Sequence, residues 1–240
     1  AEVRLKLNEV IKEEYAKIDA LRRELEQKIT LECDREGVEA IVRVEGSIAK
    51  DTWLSENPDI DIFMRLPTSI PRKNLGNIGL KIAKKAAGDA EQLERFAEHP
   101  YLEIFLGGYR VDIVPCYDAK PGEWQSATDR TPYHTDYIRG HLDKGALGEV
   151  RLLKRFMQGI AVYGAEIKVG GFSGYLCELL IMKYCSFAQT IRAFAGFNQR
   201  VIIDIEGFYA NRANELQLLF SESLVIIDPV DKRRNVASAV

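Results

Sequence analysis

Histidine and cysteine are scarce, three and four in 240 residues. Cys33, Cys116, Cys177 and Cys185 form no Cys-x-x-Cys pair, and His99, His134 and His141 stand apart. This spacing supports neither a zinc site nor a disulfide framework, and it suits a reducing cytoplasm. No stretch resembles a signal peptide or an apolar span of about 20 residues, so no membrane partner is expected. Basic residues are not in excess: Lys and Arg number 33 against 36 Asp and Glu, for a net charge of −3. That argues against a general basic coat for nucleic acid while leaving room for a local basic groove. Internal repeats and low-complexity tracts are also missing, and nothing fixes an oligomeric state. The first residue is Ala rather than Met, so the start is expected to be processed or trimmed. With 46% hydrophobic residues, the length allows one large domain or two small ones with real cores.

The most informative stretch runs from Gly46 to Asp61. Asp59 and Asp61 share one parity of an alternating run, and Ile60, Ile62 and Met64 take the other. As a strand, this puts both carboxylates on one face and the aliphatic side chains on the buried face. Adjacent carboxylates repel unless a cation lies between them, and hard divalent cations prefer such oxygen ligands. Upstream, Gly46-Ser47 closes an apolar run (Val38 to Val44) and opens a short helix. Glycine allows close approach to the backbone, and exposed N–H groups at a helix start attract anions. A phosphate cradle followed by a carboxylate pair reads as a metal-assisted nucleotide site.

The other elements follow from periodicity. Leu7, Val10, Ile11, Ile18, Leu21, Leu25 and Ile29 recur at helical spacing until Gly37, predicting one or two amphipathic helices. Val38–Glu45 is the first strand, and the helix opened by Gly46 is expected to run to about Leu54. Pro71 can start a helix whose face includes Leu75, Ile78, Leu80, Ile82 and Ala86 before Gly88. Two alternating runs around Gly107-Gly108 predict a hairpin. Its second arm carries Asp112 amid Val111, Ile113 and Val114, either an edge-strand charge or a third carboxylate facing the first two. Beside the Asp59–Asp61 pair, the catalytic reading is favoured. Residues 118–148 are turn-like and polar, with 128–134 expected to be irregular, and the domain connection is placed there. Helices are then expected over Glu149 to about Val162 and Tyr175–Phe187. Ser173 caps the second, whose only charges are Glu178 and Lys183. Val225–Val230 is read as a strand.

These pieces resemble archaeal-type (class I) CCA-adding enzymes, tRNA nucleotidyltransferases of the polymerase-β superfamily. The resemblance rests on Gly46-Ser47, Asp59-Ile60-Asp61, Glu98-His99-Pro100-Tyr101, Val111-Asp112-Ile113-Val114-Pro115 and Asp129-Arg130-Thr131-Pro132-Tyr133-His134. It continues through Arg151-Leu152-Leu153-Lys154, Tyr163-Gly164, Gly171-Phe172-Ser173-Gly174-Tyr175, Asp228-Pro229-Val230-Asp231 and Arg234-Asn235-Val236-Ala237. The matches run in order over nearly the whole chain. The resemblance implies an α+β fold: a polymerase-β-like nucleotidyltransferase domain over 1–142, with a small mixed or antiparallel sheet and flanking helices. A mainly helical central domain would follow over 143–240 and close over the nucleotide. It implies that Asp59, Asp61 and Asp112 hold two Mg²⁺ ions and that a tRNA 3′-hydroxyl attacks the α-phosphorus of CTP or ATP. Carried over residue by residue, Gly46 and Ser47 would cradle the phosphates. Lys50, Thr131, His134, Lys154 and Tyr163 would complete the triphosphate and ribose pocket, with Arg234 facing the base edge.

Three departures stand out. The family usually has arginine where Lys50 stands, so the charge is kept and the bidentate fork is lost. Ile48 replaces an aromatic residue. Family members also continue for roughly as many residues again, in domains that grip tRNA, which makes this chain either a cut catalytic half or a short relative. The expectation is CCA addition. Two alternatives are an oligoadenylate synthetase-like nucleotidyltransferase and a nucleotide- or RNA-binding module without turnover.

Overall fold

A computed structural model describes residues 2–55, 58–166, 168–197 and 199–240, with the side chains of 2–12 and 213 outside the description. The chain divides into two compact units, Ala1–Ile48 with Ser55–Asp129, and Ala49–Leu54 with Arg130–Val240.

In the first unit, helix α1 (Glu2–Arg35) is followed by strand β1 (Ile41–Glu45), the single turn α2 (Gly46–Ala49) and strand β2 (Asp59–Leu66). Helix α3 (Arg72–Ala87) and strands β3 (Glu91–Phe96), β4 (Pro100–Leu106) and β5 (Tyr109–Tyr117) complete it. Ile18, Leu25, Ile29 and Cys33 form the buried stripe of α1. Leu7, Val10 and Ile11, on the same periodicity, lie outside the residues whose side chains are described.

The sheet order is β1-β2-β5-β4-β3. It is mixed, because β2 and β5 run parallel while every other pair is antiparallel. A parallel pair needs a long crossover, and residues 67–108 supply it. The loop between β4 and β5 is Gly107-Gly108, with φ of +61° and +85°, the two positive values a tight two-residue hairpin requires. Ile60, Ile62, Met64, Val111 and Ile113 are each at most 1% exposed. Burying side chains of this size contributes about 1.5–3 kcal/mol each, so the register that puts them inside is strongly favoured over a one-residue slip.

The second unit contains helices α4 (Thr131–His141), α5 (Leu147–Gly159), α6 (Gly174–Tyr184), α7 (Phe187–Ala195) and α8 (Ala213–Leu219). A three-stranded sheet, β6 (Val201–Ile203), β7 (Leu224–Asp228) and β8 (Asp231–Asn235), has the order β6-β7-β8. Val150, Leu153 and Met157 of α5 pack with Leu176, Leu179 and Leu180 of α6 and Ile226 of β7.

Several boundaries differ from the sequence expectation. The helix expected to reach Leu54 ends at Ala49, because Asp51 takes φ +55° and the side chains of Lys50 and Thr52 turn to bonds within the second unit. Of the polar stretch 128–134 expected to be irregular, residues 128–130 lie in a 3-10 turn and 131–134 open α4. Pro132 sits in its first turn, where the missing N–H costs nothing. The expected helix Tyr175–Phe187 is two helices, broken at Cys185 with φ +65° and restarted by the Ser186 cap. Strand β8 follows β7 directly, its charged side chains suiting an edge.

Candidate active site

On β2, Asp59 and Asp61 alternate with the fully buried Ile60 and Ile62, as period-two patterning requires. The parallel register places Asp61 opposite Asp112. The two antiparallel registers place Glu45 opposite Asp61 and Glu103 opposite Asp112. Directly paired residues share a sheet face, so four strands present a row of carboxylates, Glu45–Asp61–Asp112–Glu103. Because β5 is an inner strand, the edge-strand explanation of Asp112 does not apply.

Such a row requires compensation. Arg43 donates to Glu45 at 2.6 Å, and Arg95 to Glu103 at 2.9 Å. Arg110 donates to Asp59 at 2.6 Å. Asp112 lies at the centre, and its buried Oδ1 has no hydrogen-bond partner among the described residues. Burial pushes its carboxyl up to about 6; Arg110 pulls it down, and Glu103 and Asp59 push it further up.

Among the described residues, no group of three or more His, Cys, Asp or Glu side chains is gathered closely enough to hold a metal ion. Asp59 is turned to Arg110, but both side chains are 43% exposed, and a pair so exposed is worth about 0–1 kcal/mol. A divalent cation can therefore outcompete it. The donor set fits such an ion: all-oxygen ligands, one of them a buried carboxylate oxygen lacking a partner. Beside Asp59, an open groove of about 730 Å³ is lined by residues including Arg95, Glu103, Phe105, Tyr109 and Arg110.

Gly46 has φ +67°, and a Cβ there would stand 2.1 Å from Asp61 Oδ2. Gly46→Ala is expected to displace that carboxylate and add about 1–2 kcal/mol of backbone strain. Metal affinity, followed by calorimetry with Mg²⁺ or Mn²⁺, should fall at least tenfold; unchanged affinity would show that Asp61 is not held by this approach. Ser47, the next residue of α2, is partly buried.

The second unit brings together Lys50, His134, Lys154 and Arg234. Glu178, fully buried on α6, accepts from Lys50 Nζ at 2.6 Å, from the Thr52 hydroxyl and from Lys154 Nζ at 3.2 Å. Lys154, 1% exposed, also donates to the Thr52 carbonyl and hydroxyl, each at 3.0 Å. All three of its N–H donors are thereby used. Burial draws the Lys154 ammonium down; Glu178 opposes this and Lys50 reinforces it. Gly174 opens α6 where a Cβ would stand 3.1 Å from the Tyr163 hydroxyl and 3.4 Å from Lys154 Nζ, so these two polar ends converge at the start of that helix.

Lys50 Nζ stands 5.6 Å from the centroid of the Tyr175 ring, which stacks on His134 at 4.1 Å. Fully buried Asp228 accepts from His134 Nε2 and Arg234 Nη1, each at 2.8 Å, and from the Tyr175 hydroxyl at 3.1 Å. Burial alone would raise the Asp228 carboxyl, but His134, Arg234 and the Val230 N–H together hold it down at about 2. Thr131, at the start of α4, accepts through its carbonyl from Thr135.

Two family models match successive parts of the chain. One, described as a nucleotidyltransferase domain, matches residues 9–134, more than half of the chain. The chain belongs to the nucleotidyltransferase family. The other model, described as tRNA nucleotidyltransferase, second domain, matches residues 148–240. The chain is 43% identical over 230 residues to the CCA-adding enzyme of Methanosarcina barkeri, covering 95% of this chain and 49% of that protein. With the Thermoplasma acidophilum CCA-adding enzyme the identity is 41% over 229 residues, covering 95% and 50%. The chain thus spans about half the length of these relatives. Among solved structures, CdnC from E. coli MS115-1 with ATP has a TM-score of 0.66 at 19% identity, covering 95% of this chain and 79% of that one. The Cid1 poly(U) polymerase with 3′-dATP and Mg has a TM-score of 0.68 at 14% identity, covering 95% and 83%. These two likenesses show the fold.

Several residues that organise the site carry little signal in the sequence. Glu178 gives one: a single carboxylate in a nearly apolar helix must be paired if it is buried. Asp228 lay in a quoted motif without a role. Glu45 and Glu103 gave no local signal, because only strand register aligns them with Asp61 and Asp112.

Proposed function

We propose that this chain is the catalytic half of a CCA-adding enzyme, transferring CMP and AMP from CTP and ATP to a tRNA 3′ end. The observation that carries the reading is the alignment of Asp61 with Asp112 across the parallel pair, in a chain about 40% identical to CCA-adding enzymes over most of its length. Asp59, Asp61 and Asp112 would hold Mg²⁺. Bound there, Mg²⁺ would acidify the attacking 3′-hydroxyl and neutralise charge on the triphosphate. Asp112, separate in sequence from the other two, is assigned to the side of the attacking hydroxyl.

Gly46 and Ser47 would take phosphate oxygens. Lys50, Thr131, His134 and Tyr163 would bind triphosphate and ribose. Lys154, with every N–H engaged, would contribute its charge and hold Thr52 and Glu178. Arg234 would donate to the base edge, where cytosine and adenine offer acceptors and the N3–H of uracil is a donor. The soluble RNA-processing role suits a cytoplasmic location, and no helix among the described residues is long and apolar enough to cross a membrane.

The test is incorporation of labelled CMP and AMP into tRNAs ending before, within and after C-C, with Asp59→Ala and Asp61→Ala alongside. Ordered C-C-A addition that vanishes in both variants is the expected result. Mg²⁺-dependent nucleotide binding without addition would favour the binding-module reading. Absence of both binding and addition would overturn the assignment.

A further inference from the structure

We propose that Asp228 sets the base selectivity of this protein by holding the Arg234 guanidinium and the His134 ring in single orientations. The inference rests on the reading of Arg234 as the base-facing residue and extends it to the group that aims it.

Asp228 ends β7 with no exposed surface. Its Oδ2 accepts from Arg234 Nη1 and His134 Nε2, and its Oδ1 from the Tyr175 hydroxyl and, at 3.0 Å, from the Val230 N–H. A carboxylate offers about four lone-pair sites, so this one is saturated. Guanidinium is a rigid plane; with Nη1 anchored at one end and the side chain tethered to β8 at the other, the directions open to Nη2 and Nε are restricted. The Arg234 side chain remains 36% exposed, leaving those donors available to a ligand. His134 spends its Nε2–H on Asp228, so in the neutral ring Nδ1 is an acceptor. Burial keeps the ring towards neutrality, aided by Arg234 and Lys50 and opposed by Asp228. Stacking on Tyr175 fixes the plane of the ring. Donors on Arg234 and an acceptor on His134 therefore stand at set positions, and one buried carboxylate sets both.

Asparagine in place of Asp228 keeps the shape and replaces one acceptor oxygen with a donor amide. Whichever way the amide turns, its nitrogen meets a donor, Arg234 and His134 on one side or the Val230 N–H on the other, so the network that fixes the guanidinium is broken. The measurement is the ratio of dissociation constants for CTP and UTP with Mg²⁺, by calorimetry. A hairpin RNA ending in a 3′-deoxynucleotide, which cannot be extended, is present throughout. Asp228→Asn should reduce the preference for CTP by about tenfold or more, the scale of losing one well-aimed arginine contact. Arg234→Ala should reduce it equally, and the double variant no further.

Loss in Arg234→Ala with full preference in Asp228→Asn overturns the inference and leaves the reading of Arg234 standing. Preference retained in Arg234→Ala, or absent from the unsubstituted protein, overturns both. If Asp228→Asn does not melt cooperatively, long-range ¹⁵N–¹H correlation on the unsubstituted protein decides. A neutral His134 carrying its proton on Nε2 is expected, and a proton on Nδ1 alone overturns the inference.

Discussion

Replacing Asp112 with asparagine is expected to lower nucleotide transfer by roughly a thousandfold, since metal-based charge stabilisation is worth several kcal/mol and about 4 kcal/mol corresponds to that factor. The same change should leave the protein at least as stable. Asp112 is central in the carboxylate row, opposite both Asp61 and Glu103, with Oδ1 buried and unpartnered. Its carboxyl, raised to about 6 chiefly by burial, is an acid whose charged form the fold disfavours. As pH falls from 7 through that value, the folded state takes up a proton before the unfolded state does. Stability from this group therefore rises on acidification, and at neutral pH the group is a net cost on the order of 1 kcal/mol after solvent screening. Asp112→Asn removes that cost. Single-turnover incorporation and urea denaturation at pH 7 test the pair of expectations. A variant both inactive and destabilised by more than about 2 kcal/mol would mean that Asp112 serves the fold, against this account.

Glu178→Ala is expected to destabilise the protein by about 3–5 kcal/mol, the range for removing one partner of a buried ion pair. Among the described residues, Glu178 is the one carboxylate bonded to Lys50 and Lys154. Its charged form is favoured despite complete burial, which alone would raise the carboxyl, because both lysines and the Thr52 hydroxyl draw it down. Without it, two buried ammonium groups stand close together with the Thr52 oxygens, which accept from Lys154, as the remaining acceptors among the described residues. Glu178→Gln should cost less, because an amide oxygen can still accept from one lysine. Chemical denaturation distinguishes the variants, and a loss below 1 kcal/mol for alanine would show that water reaches the lysines.

The legible and the hidden parts of this protein divide by the range of the interactions. Asp59 and Asp61 were legible because a strand alternates every second residue, and their aliphatic neighbours say which face is buried. The hairpin was legible in Gly107-Gly108, since two positive φ values exclude most other residues. Helix α4 was hidden because its polar surface, Asp136 and Arg139 among it, carries little apolar periodicity, and of its buried residues Pro132, Thr135 and Ile138 only the last is a large aliphatic side chain. Glu178 was visible as an anomaly, but its partner Lys50 lies 128 positions away, and no local rule spans that distance. The sharing of Asp228 by His134 and Arg234 was hidden for the same reason: it arises from where α4 and β8 meet the end of β7.

The segment Ala49–Leu54 belongs to the second unit, although the chain on either side belongs to the first. During synthesis this segment leaves the ribosome long before α6 is made. The bonds of Lys50 and Thr52 to Glu178 can form only after Glu178 has been made. The units are interleaved in sequence: a gene segment starting at Arg130 would encode Glu178 and Lys154 without Lys50 and Thr52, two of the three side chains bonded to that carboxylate, so the pair cannot be shuffled as independent modules.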